Sequence, residues 1–363
     1  MKALRALLLV GMASADESAI YVRCGSRAAE GPFLATGVPV QFVHVPKCAG
    51  ETVESSLFVT LGAENNLTRH YDDSTSFEDG GYYVGHRSLG WGSERSELLR
   101  KRPFFVAVLR EPIARLISLF DAVVVDKDDT RLARALQQRE AHLLATGTPR
   151  TGTMDAMVRN EDDALLLLAR KASQFAWFVP EDEDASCEAL DAFAIALNNL
   201  LRVDAVATTE NLLDLAPQLH FHAPHLSFET LRQRLSERMN VARRPKQILS
   251  ANSTLRLREL ETVAFDVAFH RAAQALSATR TARALFLNNN ETACCDDDDW
   301  CPVQHFPLDA ARLLRDWEWD DASSSCGSRI PDTWRSQDDF YHPPLHDLNT
   351  TIVQVASPSS SSS

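Results

Sequence analysis

Between residues 41 and 53 the chain reads Gln41-Phe-Val-His-Val-Pro-Lys-Cys-Ala-Gly-Glu-Thr-Val53. Its chemistry-bearing group is Lys47, a cation followed by the small residues Cys48, Ala49 and Gly50. A tight loop of this kind aims backbone N–H groups and a helix N-terminus at one point, which suits a phosphate or sulfate. Lys47 adds a full positive charge there. A second group stands at Arg110-Glu-Pro-Ile-Ala-Arg115-Leu-Ile-Ser118. A guanidinium fork and a hydroxyl can bind one phosphate together. The third is His86, which closes the short strand pattern Gly81-Tyr-Tyr-Val-Gly-His86. Each residue also has a plainer reading. Lys47 could be a surface lysine in a strand-turn-helix, Arg110 a strand-end ion pair with Glu111 or Glu210, Ser118 a helix-surface hydroxyl, and His86 a structural cap on a strand end.

These groups need elements to position them. Val40 to Val45 is a mostly apolar run of strand length and β-branched content, and Pro46 ends it. From Glu51 the pattern turns helical, with Val53, Leu57, Phe58 and Leu61 on one face. Phe104-Phe-Val-Ala-Val-Leu109 is continuous and apolar, as in a strand buried on both faces of a parallel sheet. Pro112 fits the first turn of a following helix, with Ile113, Leu116, Ile117 and Phe120 as its apolar stripe. Arg110 therefore falls at the carboxyl end of a strand, the edge where open α/β sheets bind ligands. The remaining pattern predicts a polar surface connection over 65–81 and helices over 130–145, 153–178 and 185–201. A strand running into a helix start follows over 202–211, then a histidine-bearing loop over 217–224. Beyond it come a helix over 228–239, the basic loop Arg243-Arg-Pro-Lys246, and a long amphipathic helix over 254–278.

Pro46-Lys-Cys-Ala-Gly-Glu-Thr52 is not a Walker A loop, because the lysine precedes the glycine. It resembles the phosphosulfate loop of sulfotransferases, usually P-K-T-G/A-G/S-T-S. Arg110 to Phe120 fills every fixed position of a second sulfotransferase signature, R-[DE]-P-x-x-R-x-x-S-x-[YF]. Gly85-His86 ahead of it looks most like the heparan sulfate 2-O-sulfotransferase type. The resemblance runs in order through residues 38–280 and is specific near the three motifs.

The resemblance implies a P-loop-like three-layer α/β fold, with a central, mainly parallel sheet flanked by helices. It implies 3′-phosphoadenosine 5′-phosphosulfate (PAPS) as co-substrate and a carbohydrate hydroxyl as acceptor. His86 would be the base, and Lys47 would stabilise charge on the leaving phosphate and the transferring sulfuryl group. Lys47, Cys48, Ala49, Gly50, Glu51, Thr52 and Val53 would cradle the 5′-phosphate, with the Thr52 hydroxyl as an extra donor. Arg110 and Ser118 would hold the 3′-phosphate. No metal is required, since the basic groups neutralise the leaving group. The late basic loop would close over the nucleotide, with a solvated basic turn as the alternative. One residue departs: Glu51 stands where the family usually carries Ser or Thr. A carboxylate beside a phosphate weakens binding unless it points away or pairs with Lys47 or an arginine.

The 363-residue chain carries a net charge of -13, which argues against a general nucleic-acid binder and leaves room for a local basic cleft. Residues 1–15 have a signal-peptide pattern: early cations, a short apolar run, and Ala13-Ser14-Ala15 as a cleavage site. A secretory protein, in the Golgi lumen or secreted, is expected, with no later transmembrane stretch. Residues 16–37 read as an extended lead-in and 38–285 as the catalytic domain. Residues 286–363 read as an acidic, Cys-containing extension whose closing serines are expected to be disordered. Of seven cysteines, four cluster between Cys294 and Cys326, as in a disulfide-bonded module, with a zinc site as the alternative. The odd count leaves Cys48 as the candidate unpaired thiol. Asn-x-Ser/Thr sequons begin at Asn66, Asn252, Asn290 and Asn349. Two other functions stay open. One is a P-loop kinase, which needs Ser or Thr where Cys48 follows the lysine. The other is a non-catalytic glycan- or nucleotide-binding protein on the same fold.

Overall fold

The computed structural model describes residues 17–23, 40–58, 68–70, 81–83, 89, 104–125, 130–179, 189–201, 203–223, 226–237, 246–289 and 300–307. The readings for the N-terminal segment, His86, Arg243-Arg244, the late cysteine cluster apart from the backbone of Cys301, and the serine tail lie outside these residues.

Strand β1 (Glu17–Arg23) comes first, and β2 (Val40–Val43) leads into the Lys47 loop. Helix α1 (Gly50–Thr52) continues directly into a π-helical turn over Val53–Phe58. Strands β3 (Thr68–His70), β4 (Gly81–Tyr83) and β5 (Phe104–Leu109) follow. Helix α2 (Pro112–Val125) then opens a helical run: α3 (Arg131–Ala145), α4 (Thr153–Arg159), α5 (Asp163–Lys171) and α6 (Ala189–Leu201). Strand β6 (Ala205–Thr208) is followed by α7 (Leu215–His222), α8 (Phe228–Ser236), α9 (Ala251–Glu259) and α10 (Glu261–Asn289). The last described element is β7 (Trp300–Pro307).

The main sheet has five strands in the order β3-β4-β2-β5-β6, and every neighbouring pair is parallel. Alternation along its central strands sorts the core into two faces. Phe42, Phe104, Val106 and Val108 point to the side covered by α7 and α8. Val43, Phe105, Ala107 and Leu109 point to the side covered by α6, α10 and the Phe175–Phe178 turn. Covered on both faces, β2, β5 and β6 are wholly buried, and that explains their near-continuous apolar sequence. Each fully buried Phe side chain is worth about 1.5–3 kcal/mol. A third cluster joins α2, α3, α4, α5 and α9 beside the sheet layers. The architecture is α/β with a parallel sheet between helices.

Several boundaries depart from the sequence reading. The helix expected over 153–178 is three pieces. It breaks at Glu161, which takes a left-handed φ of 52°. Asp162 then caps α5 by accepting from Ala164 N and Leu165 N at 3.1 and 3.2 Å. The loop expected over 217–224 is largely helix α7, because Pro217 sits in its first turn, where no backbone donor is lost. The helix expected over 254–278 is two helices, parted at Leu260 in extended conformation. That break lets α9 pack on the helical cluster while α10 lies on the sheet. The polar connection 65–81 contains β3, and the lead-in contains β1, which pairs antiparallel with β7. Among the described residues no helix is long and apolar enough to cross a membrane. Asn252, in the sequon, is exposed on α9.

Candidate functional site

The loop after β2 is built by backbone strain and close approach. Lys47 and Ala49 both hold positive φ, 67° and 58°, which costs non-glycine residues about 1–2 kcal/mol each. The Cys48 amide donates to Val45 O at 3.2 Å and closes the turn. Gly50 is required by its neighbour: a Cβ there would lie 1.7 Å from His44 Nε2. The His44 ring stacks on Phe42 and places Nδ1 2.7 Å from Glu54 Oε1. The imidazole is thus wedged under the start of α1. Lys47 and Glu51 are both exposed. Thr52 and Val53 are buried. The Val53 amide is used within the helix on Ala49 O. Gly50 and Glu51, in the first turn, have no intrahelical acceptor for their N–H groups.

The corner after β5 is held differently. Arg110 N donates to Gln174 Oε1 at 3.0 Å, and Arg110 O accepts from Gln174 Nε2 at 2.7 Å. The next amide, Glu111 N, donates to Glu210 Oε1 at 3.2 Å. Glu111 in turn caps α2, accepting from Ala114 N at 2.7 Å. The Arg110 side chain reaches across: its Nη1 donates to Lys47 O at 3.2 Å. Arg115, one turn into α2 and buried, donates through Nε to Pro46 O at 2.9 Å and through Nη1 to Ala172 O. The structure therefore brings the Lys47 and Arg110 corners into direct contact. Ser118 lies one turn beyond Arg115 on the same face of α2 and is half-buried.

Beneath the corners lies a buried polar network that sequence reasoning missed. Cys48 Sγ donates to Gln174 Oε1 at 3.3 Å. Burial pushes the Cys48 thiol up to about 12, only partly opposed by Arg115 and Arg110, so it is a neutral thiol and a poor nucleophile. Among the described residues it is a free cysteine. Asp266 of α10 accepts from Gln174 N at 2.7 and 2.9 Å, Phe175 N at 3.1 Å and Ser173 Oγ at 3.2 Å. Burial raises the Asp266 pKa to about 6, against the pull of Arg115 and these donors.

At the end of β6, Glu210 meets His270 Nε2 at 3.2 Å and accepts from Thr209 Oγ1 at 2.9 Å. Burial works against its charge. The hydrogen bonds from His270, the Glu111 and Glu210 amides and Thr209 outweigh it and hold the Glu210 pKa at about 2. None of Gln174, Asp266, Glu210 or His270 sits in a motif. The only sequence signal was Glu210 directly after a strand. No group of three metal-ligating side chains is present among the described residues.

No protein-family model matches the chain, and no curated protein matches it either.

Proposed function

We propose that the chain is a PAPS-dependent sulfotransferase on a P-loop-like fold, moving a sulfuryl group to a hydroxyl of a carbohydrate acceptor in the secretory pathway. The observation that carries the reading is the contact between two anion-suited corners, Arg110 Nη1 on Lys47 O at 3.2 Å. A donor with phosphate at both ends needs two such corners side by side at the carboxyl edge of a parallel sheet. The first-turn amides of α1 and Lys47 would receive the 5′-phosphosulfate. Arg110 and Ser118 would receive the 3′-phosphate.

In the reaction the acceptor oxygen attacks sulfur as the bond from sulfur to the 5′-phosphate oxygen breaks. The acceptor proton passes to His86, and 3′,5′-bisphosphoadenosine leaves. Base catalysis of this kind contributes about 10²–10⁴-fold. Lys47 offsets charge building on the bridging oxygen.

Millimolar PAPS is expected to raise the melting temperature, and Lys47→Ala to abolish that rise; absence of any rise with wild-type protein would sink the reading. Competition between ATP and PAPS separates it from a kinase. Glu51 favours one alternative, a binding protein that has lost turnover. That alternative predicts nucleotide or glycan binding without sulfate transfer, and indifference to His86→Ala.

A further inference from the structure

We infer that Gln174 is a positioning residue, whose single side-chain amide sets the spacing between the Lys47 and Arg110 corners; this rests on the PAPS reading above. Gln174 is fully buried. Its Nε2 donates to Arg110 O, and its Oε1 accepts from Arg110 N. One side chain thus takes both peptide groups of Arg110, as the backbone of a neighbouring strand would. The same Oε1 also accepts from Cys48 Sγ, in the other corner. Simple satisfaction of a buried strand end would explain the first two bonds but not the third.

Gln174 is itself fixed, because its backbone N–H is held by both oxygens of the Asp266 carboxylate. The chain of contacts therefore runs from α10, through residue 174, to both loops. A ligand gripped at two ends is sensitive to this spacing, and a 1 Å misplacement of reacting groups can cost about a hundredfold in rate. A ligand gripped at one end is not.

The test uses the full chain and its Gln174→Met variant, which keeps bulk and removes all three side-chain bonds. Binding of 3′,5′-bisphosphoadenosine, which needs both corners, is compared with adenosine 5′-phosphosulfate, which lacks the 3′-phosphate. The alkylation rate of Cys48 is followed on its own peptide by mass spectrometry. The expected result is a loss of about tenfold to a hundredfold for the bisphosphate, a clearly smaller loss for the 5′-phosphosulfate, and faster Cys48 alkylation. Gln174→Asn, which retains a side-chain amide without adding charge, should recover part of the bisphosphate affinity. It also carries the test if the Met variant does not fold.

Equal losses for both ligands would reduce Gln174 to a fold-stabilising residue and overturn the inference. Unchanged bisphosphate affinity with an unreactive Cys48 would overturn it as well. Failure of wild-type protein to bind either nucleotide would instead overturn the functional reading. In that case faster Cys48 alkylation in the variant would still report the lock between the corners.

Discussion

The two βα corners do comparable work by opposite means. The corner at Lys47 is strained, with two non-glycine residues at positive φ and an imidazole filling the space a Gly50 side chain would need. The corner at Arg110 is unstrained, and remote side chains grip its peptide groups. Most ties between them run one way. Arg110 and Arg115 donate to Lys47 O and Pro46 O, and Gln174 accepts from Cys48. The strained loop is therefore held open by the relaxed one, and its shape is a property of the tertiary fold.

The largest break in this asymmetry is expected from Arg115→Met. It removes the buried guanidinium's bonds to Pro46 O and Ala172 O and its favourable field on the Asp266 carboxylate, at a cost of about 3 kcal/mol in denaturant unfolding. A combined Arg115→Met, Asp266→Asn variant should recover part of that loss. Gly50→Ala comes next, because its Cβ displaces the His44 ring. About 1–3 kcal/mol of stability should go, together with the nucleotide-induced thermal shift.

Lys47→Gly sharpens the comparison by separating stability from binding. Relief of the positive φ should raise stability by up to about 1 kcal/mol while the response to PAPS disappears. The corresponding Arg110→Gly has no such strain to relieve and should only destabilise.

The smallest effects concern pH. Glu210, held near 2 against an ordinary 4.5, contributes stability that is present above pH 4.5 and lost as pH falls towards 2. Asp266, raised from 3.8 to about 6, acts in the other direction: stability declines as pH rises from 3.8 to 6 and is flat above. Unfolding midpoints measured from pH 2 to 7 should lose the acid limb in Glu210→Gln, and a midpoint profile unchanged from wild type would refute this assignment.

The legible parts were those set by local pattern. Strands β2 and β5 are almost wholly apolar because both faces are covered, so their carboxyl ends, with Lys47 and Arg110, could be placed from sequence. The hidden parts were set by packing between distant segments. Gln174 and Asp266 lay inside stretches that read as unbroken helices. Each gained its role only where tertiary contacts broke the period, after Lys171 and at Leu260. Three-residue β3 is too short to carry a pattern of its own. The stretch 217–224, bounded by prolines, read as a loop, yet His220 Nδ1 lies 2.7 Å from Leu226 O and fastens the end of a helix.

The π turn over Val53–Phe58 has a consequence for tolerance to length change. A helical turn closed between residues five apart holds one residue more than an α turn. Deleting a single residue there would let the segment tighten to regular winding. The first turn ahead of it would keep its register, whereas the same deletion in α2 would swing Ser118 to another side of its helix.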